Sequence, residues 1–201
     1  MKTFLMIGAV FVSTAMPALA IDAASLAVTE GLKRGKAMPI EAVQTLMRGA
    51  DYWCYSENEA GCDWAERYLE VDEKRAIYEV SNAWDATRNV SFSDQAEFRD
   101  GRFICETGYF YVPSTYAETR ATGLPVYGRE LATIKGEMAD NVGTDTMDCF
   151  DYVFGSVDED AGLITITQRQ FTQDLTTDPA NDAEVTLHFD TVDAKPTLQP
   201  W

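Results

Sequence analysis

A β-hairpin is predicted most clearly by the stretch EFRDGRFIC, residues 97–105. Asp100 and Gly101 lie between two arms that contain apolar residues. An Asp-Gly pair in that position is typical of a type I′ turn, because both central residues of the turn need a positive φ. Phe98 precedes the turn, and Phe103 and Ile104 follow it. The stretch therefore predicts two antiparallel strands in the middle of the chain.

Alternation of apolar and polar residues extends the β-prediction on both sides of this hairpin. A run with period two begins at Trp64 and leads through a polar turn into a second run that ends near Ser81. Three further runs begin near Cys149, Leu163 and Val185. Period two places successive side chains on opposite faces of a sheet. With the shorter runs included, we predict about eight strands, and short turns between them favour antiparallel pairing.

Two segments carry helical periodicity instead. Between Pro39 and Arg48 the apolar residues share one helical face, and from Tyr127 to Met138 they form a single stripe. Capping-box spacing predicts a shorter helix over 115–120. Together the elements predict an α+β fold: a curved antiparallel sheet or partial β-barrel of about eight strands, covered by two main helices.

The first 20 residues have the layout of a cleavable secretory signal peptide. Lys2 precedes an apolar run of about 12–14 residues, and Pro17 leads into Ala18-Leu19-Ala20. That run is shorter than the roughly 20 residues that span a bilayer, and no later stretch is apolar enough to span one. We therefore expect cleavage after Ala20 and a periplasmic or secreted protein with no membrane span.

Residues 21–201 have the length of a single domain with its own core. Residues 21–38 are small and polar and predict a loose N-terminal arm, and two prolines within 194–201 predict an extended tail.

An even number of cysteines in an exported chain is typical of disulfides. The four cysteines allow three pairings. We favour Cys54–Cys62, which would close a polar loop, and Cys105–Cys149, which would tie a central strand to a late one.

The charge balance is strongly acidic. The 201 residues include 16 Lys and Arg against 33 Asp and Glu, a formal net charge of −17. Such a surface repels the phosphates of nucleic acids, so we expect no nucleic acid partner. It suits a cationic protein or peptide, which is the partner class that we predict.

Residues that usually carry catalysis or bind metals are sparse. The single histidine, His188, lies two residues from Asp190, and such a pair on a strand is common by chance. We find no zinc-ligand spacing and predict no cofactor or metal. The acidic run 158–162 resembles the start of a calcium loop, but Gly162 falls one place early and Arg169 stands where a bidentate glutamate is required. A hairpin turn is the favoured interpretation.

The candidate binding residues are aromatic: Trp53, Trp64, Tyr109 and Tyr111. Aromatic residues at strand spacing usually pack in a core, but those that project from a rim suit protein or glycan contacts. Our leading hypothesis is an exported acidic binding or accessory domain without enzymatic activity. One alternative is a carboxylate-dependent hydrolase of envelope or extracellular glycans, and a second is a calcium-stabilised structural domain.

Overall fold

The computed structural model describes residues 21–108, 111–141, 147–172, 174–177, 179–189 and 195–200. Within these ranges the strands are β1 (Tyr52–Tyr55), β2 (Trp64–Val71), β3 (Arg75–Ala83), β4 (Arg88–Arg99), β5 (Phe103–Glu106), β6 (Tyr116–Thr119), β7 (Asp148–Asp158), β8 (Leu163–Thr172) and β9 (Ala183–His188). The α-helices are α1 (Ala23–Thr29), α2 (Ile40–Gly49), α3 (Tyr111–Ser114) and α4 (Gly128–Asn141).

Eight of these strands close into an antiparallel β-barrel. Their order around the barrel is β1-β2-β3-β4-β5-β7-β8-β9, and β9 pairs with β1 to complete the ring. The prediction of a sheet that curves into a barrel is confirmed, but the barrel is closed rather than partial. Closure gives each of the eight strands a partner on both sides, which removes the open edges that a partial barrel would leave.

The predicted hairpin lies at the β4–β5 turn. Asp100 and Gly101 have φ angles of 54° and 64°, as the sequence predicts. The ninth strand, β6, pairs with the first part of β4 outside the barrel ring. It occupies part of the segment 115–120, so the prediction of a short helix there was wrong. Pairing with β4 supplies this segment with backbone partners that a short isolated helix lacks.

Both main helices lie where the sequence predicted them. The apolar face of α2 is buried, and α2 covers the barrel end that holds the β2–β3 and β4–β5 turns: Gln44 Nε2 donates to Asp72 O at 3.4 Å, and Ile40 N donates to Gly101 O at 3.1 Å. The helix α4 packs with α3 against β4 and β6. The sequence predicted two main helices, and the described residues contain two shorter helices as well, α1 and α3.

Residues 21–38, for which the composition suggested a loose arm, hold α1 and complete the barrel wall. The β5–β7 ladder contains two residue pairs. Farther along β7, Met38 N donates to Tyr152 O and Gly35 N to Phe154 O, each at 2.8 Å. Ile21 and Met38 are 5% and 1% exposed. Their burial in the core holds this segment against the barrel. The small residues around them in the chain gave no indication of that packing.

Both predicted disulfides are present. Cys54–Cys62 joins β1 to the loop before β2, and Cys105–Cys149 joins directly paired residues of β5 and β7. All four cysteines are buried. The second disulfide therefore fastens the barrel wall at its shortest ladder.

Residues 195–200 run along the outer wall. Cys62 N donates to Thr197 O at 2.8 Å, and Leu198 is 5% exposed. In the part of the chain that the structure describes, no helix has the length and apolar character needed to cross a membrane.

Candidate functional site

The strand register decides which side chains point into the barrel. Trp53 on β1 lies directly opposite Glu66 on β2 and Leu187 on β9. Trp53 and Leu187 are fully buried. Because directly opposed residues share one face of a sheet, Glu66 also points into the barrel. Glu66 therefore places a carboxylate among inward-facing residues of β2 that are otherwise apolar or aromatic.

A cavity of about 430 Å³ occupies the barrel end away from α2. Besides the aliphatic residues Val80, Ala96 and Ile104, its lining consists of three chemical groups. The aromatic residues include Trp64, Tyr68, Tyr78, Phe92, Tyr111, Phe150 and Tyr152, the amides are Asn82, Gln168, Gln170 and Asn181, and the carboxylates are Glu66, Asp94, Glu106 and Asp148. We call this space the acidic cavity.

Glu66 is held in place by two phenols. Its Oε2 accepts hydrogen bonds from Tyr55 Oη at 2.8 Å and from Tyr68 Oη at 2.9 Å. Burial raises the pKa of Glu66, and the two phenolic donors oppose that rise. Burial also raises the pKa of both tyrosines, which keeps them in the protonated, donating form.

Glu106 and Asp148 form a second carboxylate group across the β5–β7 ladder. Asp148 N donates to Glu106 Oε2 at 3.0 Å, and Gln170 Nε2 donates to Asp148 Oδ2. Burial raises the pKa of Glu106 to about 7 against the lowering effect of the Asp148 amide, and the negative charges of Asp148, Asp94 and Glu66 add to the rise. Glu106 therefore exchanges its proton near neutral pH.

Asp94 on β4 is the fourth carboxylate of the acidic cavity. Its Oδ1 accepts a hydrogen bond from the backbone amide of Gln95 at 2.8 Å. Burial raises the pKa of Asp94 to about 6, despite that amide. None of the described residues that line the acidic cavity is a lysine, an arginine or a histidine. The described lining therefore places no cationic side chain beside Glu66, Asp94 or Glu106.

Two amide side chains of the lining differ in their hydrogen bonding. Gln168 Nε2 donates to the hydroxyls of Tyr55 and Tyr152, each at 3.2 Å. Asn82 Oδ1 is buried and accepts no hydrogen bond from any described residue. A buried acceptor without a donor costs free energy.

The predicted aromatic residues have different positions. Trp64 lines the cavity and stacks on Tyr55 with ring centroids 4.5 Å apart. Tyr111 also lines it and packs on Phe92 at 4.7 Å. Trp53 is fully buried in the core, as is usual for aromatics at strand spacing. Tyr109 lies outside the described residues.

Sequence reasoning missed the carboxylates. In the alternating pattern of β2, Glu66 lies on the same face as Trp64 and Tyr68, whereas Ala65 and Arg67 lie on the other face. A glutamate on the face of two large aromatic residues was the signal for an acidic residue inside the barrel.

The other sequence candidates do not form a comparable site. His188 stacks on Tyr52 at 4.4 Å, and its Nε2 lies 3.1 Å from Glu57 Oε2. Among the described residues, His188, Glu57 and Cys54 form the one group with metal-ligand spacing. The Cys54 sulfur is held in a disulfide, so it is not available as a ligand. Asp190 lies outside the described residues.

The acidic run that resembles a calcium loop forms the β7–β8 hairpin turn, as predicted. Asp158 Oδ1 accepts a hydrogen bond from Ala161 N at 3.0 Å. This carboxylate therefore caps its own turn.

Comparison with known proteins gives no relative. No protein family, no curated protein and no solved structure matches the chain.

Proposed function

We propose that the protein is an exported binding protein whose acidic cavity takes a small organic cation. The observation that carries the proposal is a set of three carboxyls, those of Glu66, Asp94 and Glu106, in an aromatic-walled cavity with no cationic residue in its described lining. A cationic ligand supplies the charge that this set lacks.

The energetics favour a cation over a neutral molecule of the same shape. The raised pKa values of Asp94 and Glu106 mean that their ionised forms are unfavourable in the empty cavity. An ammonium group beside them stabilises the ionised forms and makes charge-assisted hydrogen bonds. The aromatic walls add cation–π attraction of about 0.5–2 kcal/mol at each well-placed ring.

The cavity also limits the size of the ligand. A volume of about 430 Å³ lies at the lower end of the range found for small-molecule sites. Such a volume suits a small molecule or a single cationic side chain. The rings of Trp64, Tyr78 and Phe150 suit a ligand with an apolar or aromatic body next to its charged group.

The compartment is part of the proposal. Two buried disulfides are consistent with an oxidising extracellular or periplasmic space. Together with the signal peptide predicted over 1–20, they support capture of the ligand outside the cytoplasm.

The decisive experiment compares three probes that share a phenol ring and differ in charge: tyramine, tyrosol and 4-hydroxyphenylacetate. We expect calorimetric titration at pH 8 to give at least tenfold tighter binding of tyramine than of tyrosol, which corresponds to about 1.4 kcal/mol. The anionic probe should not bind. Equal or tighter binding of the neutral or the anionic probe would refute the proposal.

Two variants locate the binding. Glu106→Gln should weaken tyramine binding, whereas Glu97→Gln should not, because Glu97 is an exposed residue on the outer face of β4. Both variants remove one negative charge, so the comparison separates the acidic cavity from the net charge of the protein.

The dependence on pH gives a further test of the same site. If tyramine needs ionised Glu106, a pKa of about 7 predicts about 100-fold weaker binding at pH 5 than the ionised protein shows. Tyramine itself stays cationic over this range, and the affinity for tyrosol should stay constant. Tyramine binding that is independent of pH would exclude Glu106 as its partner.

A carboxylate-dependent glycan hydrolase is the second candidate. The observation that favours it is a glutamic acid with a pKa of about 7 beside the carboxyls of Asp148 and Asp94, which suits a general acid next to an anionic residue. Release of reducing ends from peptidoglycan or chitin, abolished by Glu106→Gln, would establish this activity.

A cationic protein or peptide that docks on the outer acidic surface stays a prediction. The test is a pull-down at increasing salt, because attraction between exposed charges weakens with ionic strength. Stabilisation by calcium also stays a prediction, and a melting temperature that is unchanged by calcium and by chelator would remove it.

A further inference from the structure

A second concave site lies on the outside of the barrel. It has a volume of about 410 Å³ and runs over the outer faces of β2, β3 and β4, between β6 on one side and residues 195–198 on the other. We call it the outer groove. The strands that form its floor present their other face to the acidic cavity, so the two sites are separated by the barrel wall.

The floor of the outer groove is made by small side chains. The register places Ala65, Ser81 and Ser91 side by side across β2, β3 and β4, and Tyr116 of β6 continues the same row. The hydroxyl oxygens of Ser81 and Ser91 are 2.8 Å apart, and Tyr116 Oη donates to Glu79 Oε2 at 3.1 Å. Small residues leave room for a ligand, and the hydroxyls give it a polar base.

The two sides of the groove are fixed by contacts with the tail. Lys195 Nζ donates to Glu118 Oε2 at 2.7 Å, and Arg120 Nη2 donates to Leu198 O at 2.5 Å. Arg120 Nη1 also donates to Asn89 Oδ1 at 2.8 Å. These bonds use Asn89 Oδ1 and Glu118 Oε2. The Asn89 amide nitrogen and Glu118 Oε1 take no part in them and can hydrogen-bond to a ligand.

Charge distinguishes the outer groove from the acidic cavity. The charged residues that line it are Arg67, Arg120, Lys195, Glu79 and Glu118, together with Glu66, whose carboxylate is bonded to Tyr55 and Tyr68 inside the barrel. Cations and carboxylates are thus nearly balanced in the groove. A balanced polar site gives no preference for a net charge and favours a neutral ligand that is rich in hydroxyl groups.

We infer that the outer groove binds a neutral saccharide. Carboxylate, amide and guanidinium groups match the paired donors and acceptors of sugar hydroxyls. Tyr116 lines the groove and is 46% exposed, so its ring can pack against the apolar face of a sugar. This site is independent of the proposed cation binding, since neither needs the other.

Saturation-transfer NMR on the processed protein, residues 21–201, tests the inference with three neutral trisaccharides: cellotriose, maltotriose and tri-N-acetylchitotriose. We expect transfer to at least one of them. Tyr116→Ala should abolish that signal, and Glu79→Gln should weaken the affinity about tenfold through loss of a charge-assisted hydrogen bond. Glu106→Gln, which alters the acidic cavity alone, should leave the signal intact.

The controls keep the result interpretable. Tyr116→Phe retains the ring and loses only the hydroxyl, so it should retain part of the signal even if Tyr116→Ala melts at a lower temperature. Absence of transfer to all three sugars would overturn the inference, and so would a signal that persists in both Tyr116→Ala and Glu79→Gln. Loss of the signal in Glu106→Gln would place the sugar in the acidic cavity and also refute the outer groove.

Discussion

Replacement of Glu106 by glutamine should stabilise the folded protein, and it should do so far more at pH 8 than at pH 5. The pKa of Glu106 is raised from 4.5 to about 7, chiefly by burial. Between these two values the folded state keeps a proton that the unfolded state has released. Stability is therefore highest at low pH and falls as the pH rises through this window.

The size of the effect follows from the two pKa values. At about 1.36 kcal/mol per pKa unit, ionisation of Glu106 costs about 2.5 kcal/mol more at pH 8 than at pH 5. Glu106 is only partly shielded from solvent, which screens part of this charge, so we expect the variant to gain about 2 kcal/mol more at pH 8 than at pH 5. At pH 5 the folded state holds Glu106 neutral, but the unfolded side chain, with a pKa of 4.5, is already about three-quarters ionised, so the gain there is about 0.8 kcal/mol. The amide is a close isostere of the neutral acid and can still accept the Asp148 amide proton.

Urea unfolding of both proteins at pH 5 and pH 8 measures this difference. The comparison of variant with wild type at each pH cancels the titration of the other acidic residues. Glu97→Gln is the matched control, and its exposed position predicts a change below about 0.5 kcal/mol at either pH. A Glu106→Gln protein that is less stable than wild type at pH 8, or equally stabilised at both pH values, would refute the reasoning.

Three further outcomes follow from the fold. Replacement of Cys105 and Cys149 together by alanine should lower the free energy of unfolding by about 4 kcal/mol in urea titrations, because the loop between them is long; an unchanged midpoint would contradict this. Asp151→Asn should cost about 2 kcal/mol by the same assay, since Asp151 is fully buried and ion-paired with two arginines. Intact-mass measurement of the exported protein should match residues 21–201, and a mass that includes the first 20 residues would exclude cleavage there.

Local signals predicted local structure well. The Asp100-Gly101 turn and the apolar face of α2 depend on neighbouring residues, and the structure confirms both. The predicted stripe of α4 is confirmed at Ile134 and Met138, which are buried, but Tyr127 precedes the helix and is 72% exposed. Closure of the barrel depends on β1 pairing with β9, which joins 52–55 to 185–188. No local pattern encodes a pairing between segments so far apart, so the sequence predicted only a curved sheet or partial barrel.

The acidic cavity was partly visible in the sequence. The predicted disulfide places Cys105 and Cys149 side by side on one face, and alternation then places their neighbours Glu106 and Asp148 side by side on the other. Two acidic residues forced together in this way indicate a site. Asp94 could not be found similarly, because its position inside the barrel depends on the register between β3 and β4, which only the folded chain defines.

The two ends of the barrel differ in their chemistry, and the contrast supports the proposed binding role. At the end covered by α2, residues such as Trp53, Ile164 and Leu187 are fully buried and supply apolar stabilisation. At the other end, carboxyls and a buried amide oxygen without a described donor occupy positions where apolar side chains would give a more stable barrel. A fold that retains unfavourable groups in one place, while the rest is well packed, gives up stability where a ligand can restore it. A cation that pairs with these carboxyls restores it by binding the folded state alone, so ligand affinity and the pH-dependent loss of stability have the same physical origin.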